Sequence, residues 1–191
     1  MKRRKAIGSI LLAGTATAVG YGGYEWYSLT KSPDKKYILS KKSLLAELAE
    51  TIIPATDTPG GKEAGAVEFM IRFLDECTDK KTLNRFVKGL QDLEAYTHDR
   101  FKKEFTDCSE KERGEILHHF EEKATASSSI FDKIKNKFTG KPFFVTLKSY
   151  AVYGYCISEK GATIGMRYIA VPGKSLPCIP LEPNQKTWAT K

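Results

Sequence analysis

The feature that most restricts this chain is residues 44–73, LLAELAETIIPATDTPGGKEAGAVEFMIRF, where two apolar repeats of helical pitch flank a run that helices do not tolerate. Leu44, Leu45, Leu48, Ile52 and Ile53 repeat at helical spacing, with Ser40 placed to cap the start and Pro54 to stop the run. Pro54, Asp57, Pro59, Gly60 and Gly61 then favour turns and left-handed backbone, before Val67, Met70, Ile71 and Leu74 resume the period. The expectation is a helix, a tight loop and a helix. Gly60 is expected to hold backbone angles closed to residues with a Cβ.

Helical patterning continues downstream. Leu83, Phe86, Val87, Leu90, Leu93, Thr97 and Phe101 mark a long helix, and Ser109 with Glu112 forms a capping box for another, which holds Ile116, Leu117 and Phe120 until 125–129 break the pattern. Pro142 opens a further helix with Phe143, Phe144, Leu147, Tyr150, Ala151 and Tyr155. Its aromatics, Tyr153 included, fit a core helix or a strip facing a partner; for Phe144, Leu147 and Ala151 the core is the reading. No pair of strands joined by a hairpin turn stands out. After Gly161 the prolines and glycines at Pro172, Gly173, Pro177, Pro180 and Pro183 predict an extended tail over a surface. The fold class is all-α: a single helical domain, 43–191, with a Gly/Pro-rich C-terminal tail and an N-terminal export leader.

Charge is informative once divided along the chain. Residues 1–42 hold nine of the 31 Lys and Arg and two of the 23 acids, so they carry +7 of the formal +8. The remaining 22 basic and 21 acidic side chains leave the domain at +1. A nucleic-acid binder keeps a basic surface on its folded part, and this one has almost no charge with which to release counterions. Residues 1–24 read as a twin-arginine-like signal: Lys2, Arg3, Arg4 and Lys5 precede uncharged residues 6–24, whose apolar part is short and diluted by Gly8, Gly14, Thr15 and Thr17. An uncleaved membrane anchor is the other reading. Residues 25–42 read as a basic tether.

Catalytic equipment is mostly absent. The chain has no G-x-G-x-x-G after a strand, no G-x-x-x-x-G-K-[ST], no H-E-x-x-H and no C-x-x-C, which leaves no evident place for flavin, nucleotide, c-type haem or an iron–sulfur cluster. The histidines are His98, His118 and His119, and neighbouring helical histidines point about 100° apart rather than at one metal. Asp57, Ser158 and Glu159 offer acid–base groups, but turn and helix-end roles explain them more simply. No catalytic, cofactor-binding or metal-ligating residue is assigned. Cys77, Cys108, Cys156 and Cys178 allow three full disulfide pairings, and sequence does not choose among them.

The string Glu50, Ile52, Ile53, Pro54, Thr56, Thr58, Pro59, Gly60, Ala64 and Gly65 resembles the gluconate 2-dehydrogenase subunit 3 family, small subunits of membrane-associated flavin dehydrogenases. A second block, GYCISEKGATIGMRYIAVPGKSLPCIP at 154–180, is similar to that family's other signature in the same order. The resemblance covers about 40–189. It implies an accessory subunit without catalysis of its own, beside a large subunit that carries FAD and passes electrons to a cytochrome c subunit or another acceptor. It also implies a periplasmic site at the cytoplasmic membrane, with Arg3 and Arg4 serving export of both chains. Pro54, Asp57, Pro59, Gly60, Gly154, Tyr155, Pro172, Gly173 and Cys178 are then the residues of structure or partner contact, Cys178 matching the family's C-terminal cysteine. Two other classes stay open: an independent exported enzyme or ligand-binding domain using the Asp57 loop, and a membrane-anchored structural protein.

Overall fold

The computed structural model describes Gly23 and residues 27–125, 136–137, 139–171, 173–174, 178, 180–181 and 183–189. The expected export residues Arg3 and Arg4, most of the 125–129 break, and Pro172 lie outside them. The elements are α1 (Lys35–Ser40), α2 (Lys42–Ile52), α3 (Ala66–Glu76), α4 (Lys80–Phe101), a 3-10 turn (Phe105–Asp107), α5 (Glu110–Thr125), α6 (Phe143–Ile157) and a π turn (Gly161–Gly165). No strand occurs among the described residues; Arg167 and Trp188 make one isolated parallel bridge. The fold is all-α, as the periodicity requires. None of the described helices is long and apolar enough to cross a membrane.

The most apolar helix, α6, sits at the centre and packs against α2, α3, α4 and α5. Phe143, Phe144, Leu147, Tyr150, Ala151 and Gly154 form its buried face, so its core assignments hold. Phe143 meets the rings of Phe86 on α4 at 5.2 Å and Phe120 on α5 at 5.9 Å, and Tyr150 stands edge-on to Phe73 of α3 at 4.8 Å. Each such pair adds about 0.5–1.5 kcal/mol beyond its area burial. Pro142 precedes α6, and Ser109 and Glu112 form the expected capping box, with the Ser109 amide donating to Glu112 Oε2 at 2.7 Å.

Three expectations change. Ser40 does not cap α2: it ends α1 and donates its hydroxyl to the Tyr37 carbonyl at 2.7 Å, while α2 starts after Lys41 with no side-chain cap. The cause lies upstream, where Asp34 caps α1 and Ile38, 3% exposed, pulls the segment onto the core. The basic stretch is also anchored at the buried Leu29 and Ile38, with exposed residues between them, where a loose tether was expected. Buried Asn84 donates to the Leu29 and Lys31 carbonyls at 2.9 and 2.8 Å, and Tyr37 and Lys41 both reach Glu94. Lastly, the chain does not extend at Gly161: the π turn comes first, closed by the Met166 amide on the Gly161 carbonyl. Beyond it, backbone bonds join Arg167 to Thr187 and Ala189, and the Arg167 guanidinium lies 4.5 Å from the Trp188 ring centroid.

Candidate functional site

The loop between α2 and α3 is built on a carboxylate. Glu50, in the last turn of α2, accepts the Ala55 amide on Oε1 at 3.1 Å and the Lys62 amide on Oε2 at 2.9 Å, so one side chain gathers both limbs. Carboxylates suit this because loop amides otherwise lack partners and charge-assisted bonds are the strong kind. The backbone closes the rest: the Gly61 amide donates to the Ile53 carbonyl at 2.8 Å and the Ala66 amide to the Gly61 carbonyl at 3.1 Å.

Gly60 is required here for a reason other than the one expected. Left-handed φ among the described glycines occurs at Gly65, Gly140 and Gly173, not at Gly60. What Gly60 provides is space: a Cβ there would lie 2.6 Å from Glu50 Cδ, inside the carboxylate. The left-handed position of the motif is Gly65, with φ of 75°, immediately before α3. Pro59 is buried beside Gly60, whereas Pro54 and Asp57 are exposed at the rim. Asp57 accepts the Thr56 hydroxyl at 3.0 Å, which is ordinary turn chemistry.

One turn earlier on α2, Glu47 ties the loop to the rest of the molecule. It pairs with Lys62 of the loop and with the Arg113 guanidinium of α5. Arg113 also donates to the Phe105 and Thr106 carbonyls, at 3.2 and 2.6 Å. Burial pushes the Glu47 carboxyl up, but Lys62 and Arg113 outweigh it and hold the group below the usual glutamate range.

The second sequence block meets this loop. Gly154 lets α6 pack on the first turn of α3, where a Cβ would stand 2.8 Å from the Ala66 carbonyl oxygen. Lys160 pairs with Glu63 across the two blocks at 2.9 Å. Ser158 donates to the Tyr155 carbonyl at 2.8 Å and accepts the Gly161 amide at 3.0 Å, a helix-end role, and the Tyr155 ring packs against Gly165 of the π turn. The structure thus brings Pro54, Asp57, Pro59, Gly60, Gly154 and Tyr155 onto two blocks in direct contact. Gly173 and Cys178 are exposed in the tail.

The arrangement is suited to holding shape. Glu50 and Glu47 are engaged by backbone amides or cations, and Asp57 faces solvent. His118 pairs with Glu122 at 3.8 Å while His119 stacks on Tyr96 at 4.2 Å, so the adjacent histidines diverge. Among the described residues, no group of three or more His, Cys, Asp or Glu side chains is placed to hold a metal. Cys77, Cys108, Cys156 and Cys178 are free thiols. Sequence reasoning missed Glu47, Lys62 and Arg113, and quoted Glu50 without its role. The available signal was an acidic pair one turn apart just before a loop rich in Gly and Pro.

Residues 40–173, which contain the whole loop and most of the second block, match the family described as Gluconate 2-dehydrogenase subunit 3. No curated protein and no solved structure matches the chain.

Proposed function

The chain belongs to the gluconate 2-dehydrogenase subunit 3 family, and from that membership we propose that it is the non-catalytic small subunit of a flavin-dependent sugar or sugar-acid dehydrogenase. In this reading the large subunit carries FAD and oxidises an alcohol or hemiacetal carbon, with a cytochrome c subunit or another carrier accepting the electrons. The small subunit supports folding, stability and export of that partner to the periplasmic side of the cytoplasmic membrane. Arg3 and Arg4 are the residues through which an already folded, cofactor-loaded partner would be carried across.

The observation that carries this reading is the chemistry of the joined blocks. Glu50 spends both carboxylate oxygens on the backbone amides of Ala55 and Lys62, and Glu47 is occupied by Lys62 and Arg113. A general acid or base needs a free group within reach of a substrate atom, whereas these carboxylates are bound within the fold. The purified mature chain is therefore expected to be colourless and inactive by itself. An absorption spectrum and a dehydrogenase assay of the isolated chain check this, and a stoichiometric flavin spectrum would overturn it in favour of an independent enzyme.

A further inference from the structure

The near-zero net charge of the domain conceals an uneven distribution. Residues 79–89 and 136–142 hold six of the domain's 22 basic side chains and one of its 21 acids, so the other 16 basic and 20 acidic side chains leave the rest at −4. The fold brings these two stretches together. Arg85 of α4 donates to the Asn136 and Thr139 side chains and to the Gly140 carbonyl, and the Lys141 amide donates to Thr82 Oγ1 at 3.2 Å. Asp79, the acid of the two stretches, is occupied in capping α4 through the Lys81 and Thr82 amides.

The same end of α4 holds the N-terminal segment. Asn84 donates to the Leu29 and Lys31 carbonyls, and Ser28 shares one groove with Arg85, Lys88, Asp92 and Thr139. Lys31, Lys80, Lys88, Lys137 and Lys141 are exposed around this junction. None of the five pairs with a carboxylate among the described residues, whereas seven lysines elsewhere do. Asp92, one turn past Lys88, offsets one of these charges. The remainder repel one another and complement a negative surface.

The position of the leader says which surface that is. Leu29 is buried, so the chain is fixed there. Residue 24, where the uncharged run 6–24 closes, is five residues earlier, and an extended chain covers at most about 18 Å over that length. Both readings of residues 1–24, signal and anchor, put this run in contact with a membrane. While it is attached, this end of the domain is leashed to the bilayer, and the far end of the 22-residue α4 lies about 30 Å away. An apolar segment joined to a polybasic face is the combination that holds a protein at a membrane, each lysine near an anionic surface adding about fivefold in affinity.

We infer that the face formed by Lys31, Lys80, Lys88, Lys137 and Lys141 lies against the anionic phospholipid headgroups of the membrane that the leader engages. The inference rests on the leader reading above and adds the side of the domain that meets the bilayer. A nucleic acid or an acidic protein would use the same charge, but neither accounts for the leash at the same end.

The test is sedimentation of the full chain with vesicles of phosphatidylcholine alone and with about 30% phosphatidylglycerol, in about 50 and 300 mM salt. One variant combines Lys80→Gln, Lys88→Gln and Lys141→Gln. A control with the same change in charge combines Arg100→Gln, Lys102→Gln and Lys111→Gln, at and beyond the far end of α4. All six side chains are exposed, so folding is retained, and thermal melts verify it. Both variants keep the leader, so a difference between them reports the folded domain. At low salt the first variant is expected to bind the anionic vesicles about 100-fold more weakly than the unaltered chain, with the control within about threefold and the gap closing at high salt. Binding that ignores phosphatidylglycerol, or that both variants weaken alike, would overturn the lysine face and leave the leader reading standing. No binding of the unaltered chain to either vesicle would overturn the leader reading and the inference with it. Tighter binding to duplex DNA or poly-glutamate than to the anionic vesicles, lost in the first variant, would assign the face to an acidic macromolecule and overturn the inference.

Discussion

At the scale of single residues, the loop separates shape from chemistry. Gly60→Val drives side-chain atoms into the Glu50 carboxylate and strips it from the Ala55 and Lys62 amides. Losing charge-assisted bonds to these solvent-exposed amides costs about 1–2 kcal/mol, so the variant's Tm should fall by a few degrees and its assembly with the large subunit should weaken. Asp57→Asn keeps an acceptor for the Thr56 hydroxyl and removes any acid–base function, so stability and the activity of the complex should stay near those of the unaltered protein. Thermal melts and assays of the two complexes check the contrast. Loss of turnover in an intact, flavin-loaded Asp57→Asn complex would show that the loop takes part in the reaction. The sequence made the turn legible through Pro59, Gly60 and Gly65, because these residue types act locally. It did not show which glycine was left-handed and which was merely crowded, since crowding at Gly60 depends on where a side chain ten residues earlier folds back.

At the scale of elements, α2 is the strut between the loop and α5, and Glu47 is its joint. Its pKa lies below the ordinary value of 4.5 in the folded state, so the unfolded chain binds the proton more readily. Stability from this pairing is accordingly complete above about pH 4.5 and is lost as pH falls through the lower folded value. Arg113→Met removes one of the two cations and frees the Phe105 and Thr106 carbonyls, and should cost about 1–3 kcal/mol at pH 7. The difference in stability between this variant and the unaltered protein should shrink on acidification below pH 4.5; urea titrations at pH 7, 5 and 3.5 measure it. A difference that stayed constant across that range would show that Arg113 acts through packing and its carbonyl bonds rather than through Glu47. Helix periods for α2 through α6 were readable because α2 to α5 each bury a stripe against α6, which buries its own face among them. Helix α1 was not, because its single deeply buried residue, Ile38, stands among lysines whose partners, Asp75, Glu94 and Glu68, come from distant α3 and α4.

At the scale of the whole molecule, a nearly neutral helical domain carries a basic N-terminal segment, with Val145, Val152 and Tyr153 exposed on the outer face of α6. In the joined blocks Glu47, Glu50 and Glu63 hold elements together. The two blocks were recognisable as sequence because their glycines are fixed by close packing, at Gly60 against the Glu50 carboxylate and at Gly154 against the Ala66 backbone. The exposure of Val145 and Val152 was not, since an exposed valine and a buried one look alike until the helices around them are placed. The central claim is that this chain enables a flavin-bearing partner without performing its reaction. The most direct measurement is the amount of flavin-loaded, active large subunit recovered in the exported fraction when it is expressed with and without this chain. The account predicts abundant active enzyme with the chain and at most a small residue without it. Equal recovery of exported, flavin-loaded and active large subunit in both cases would contradict it.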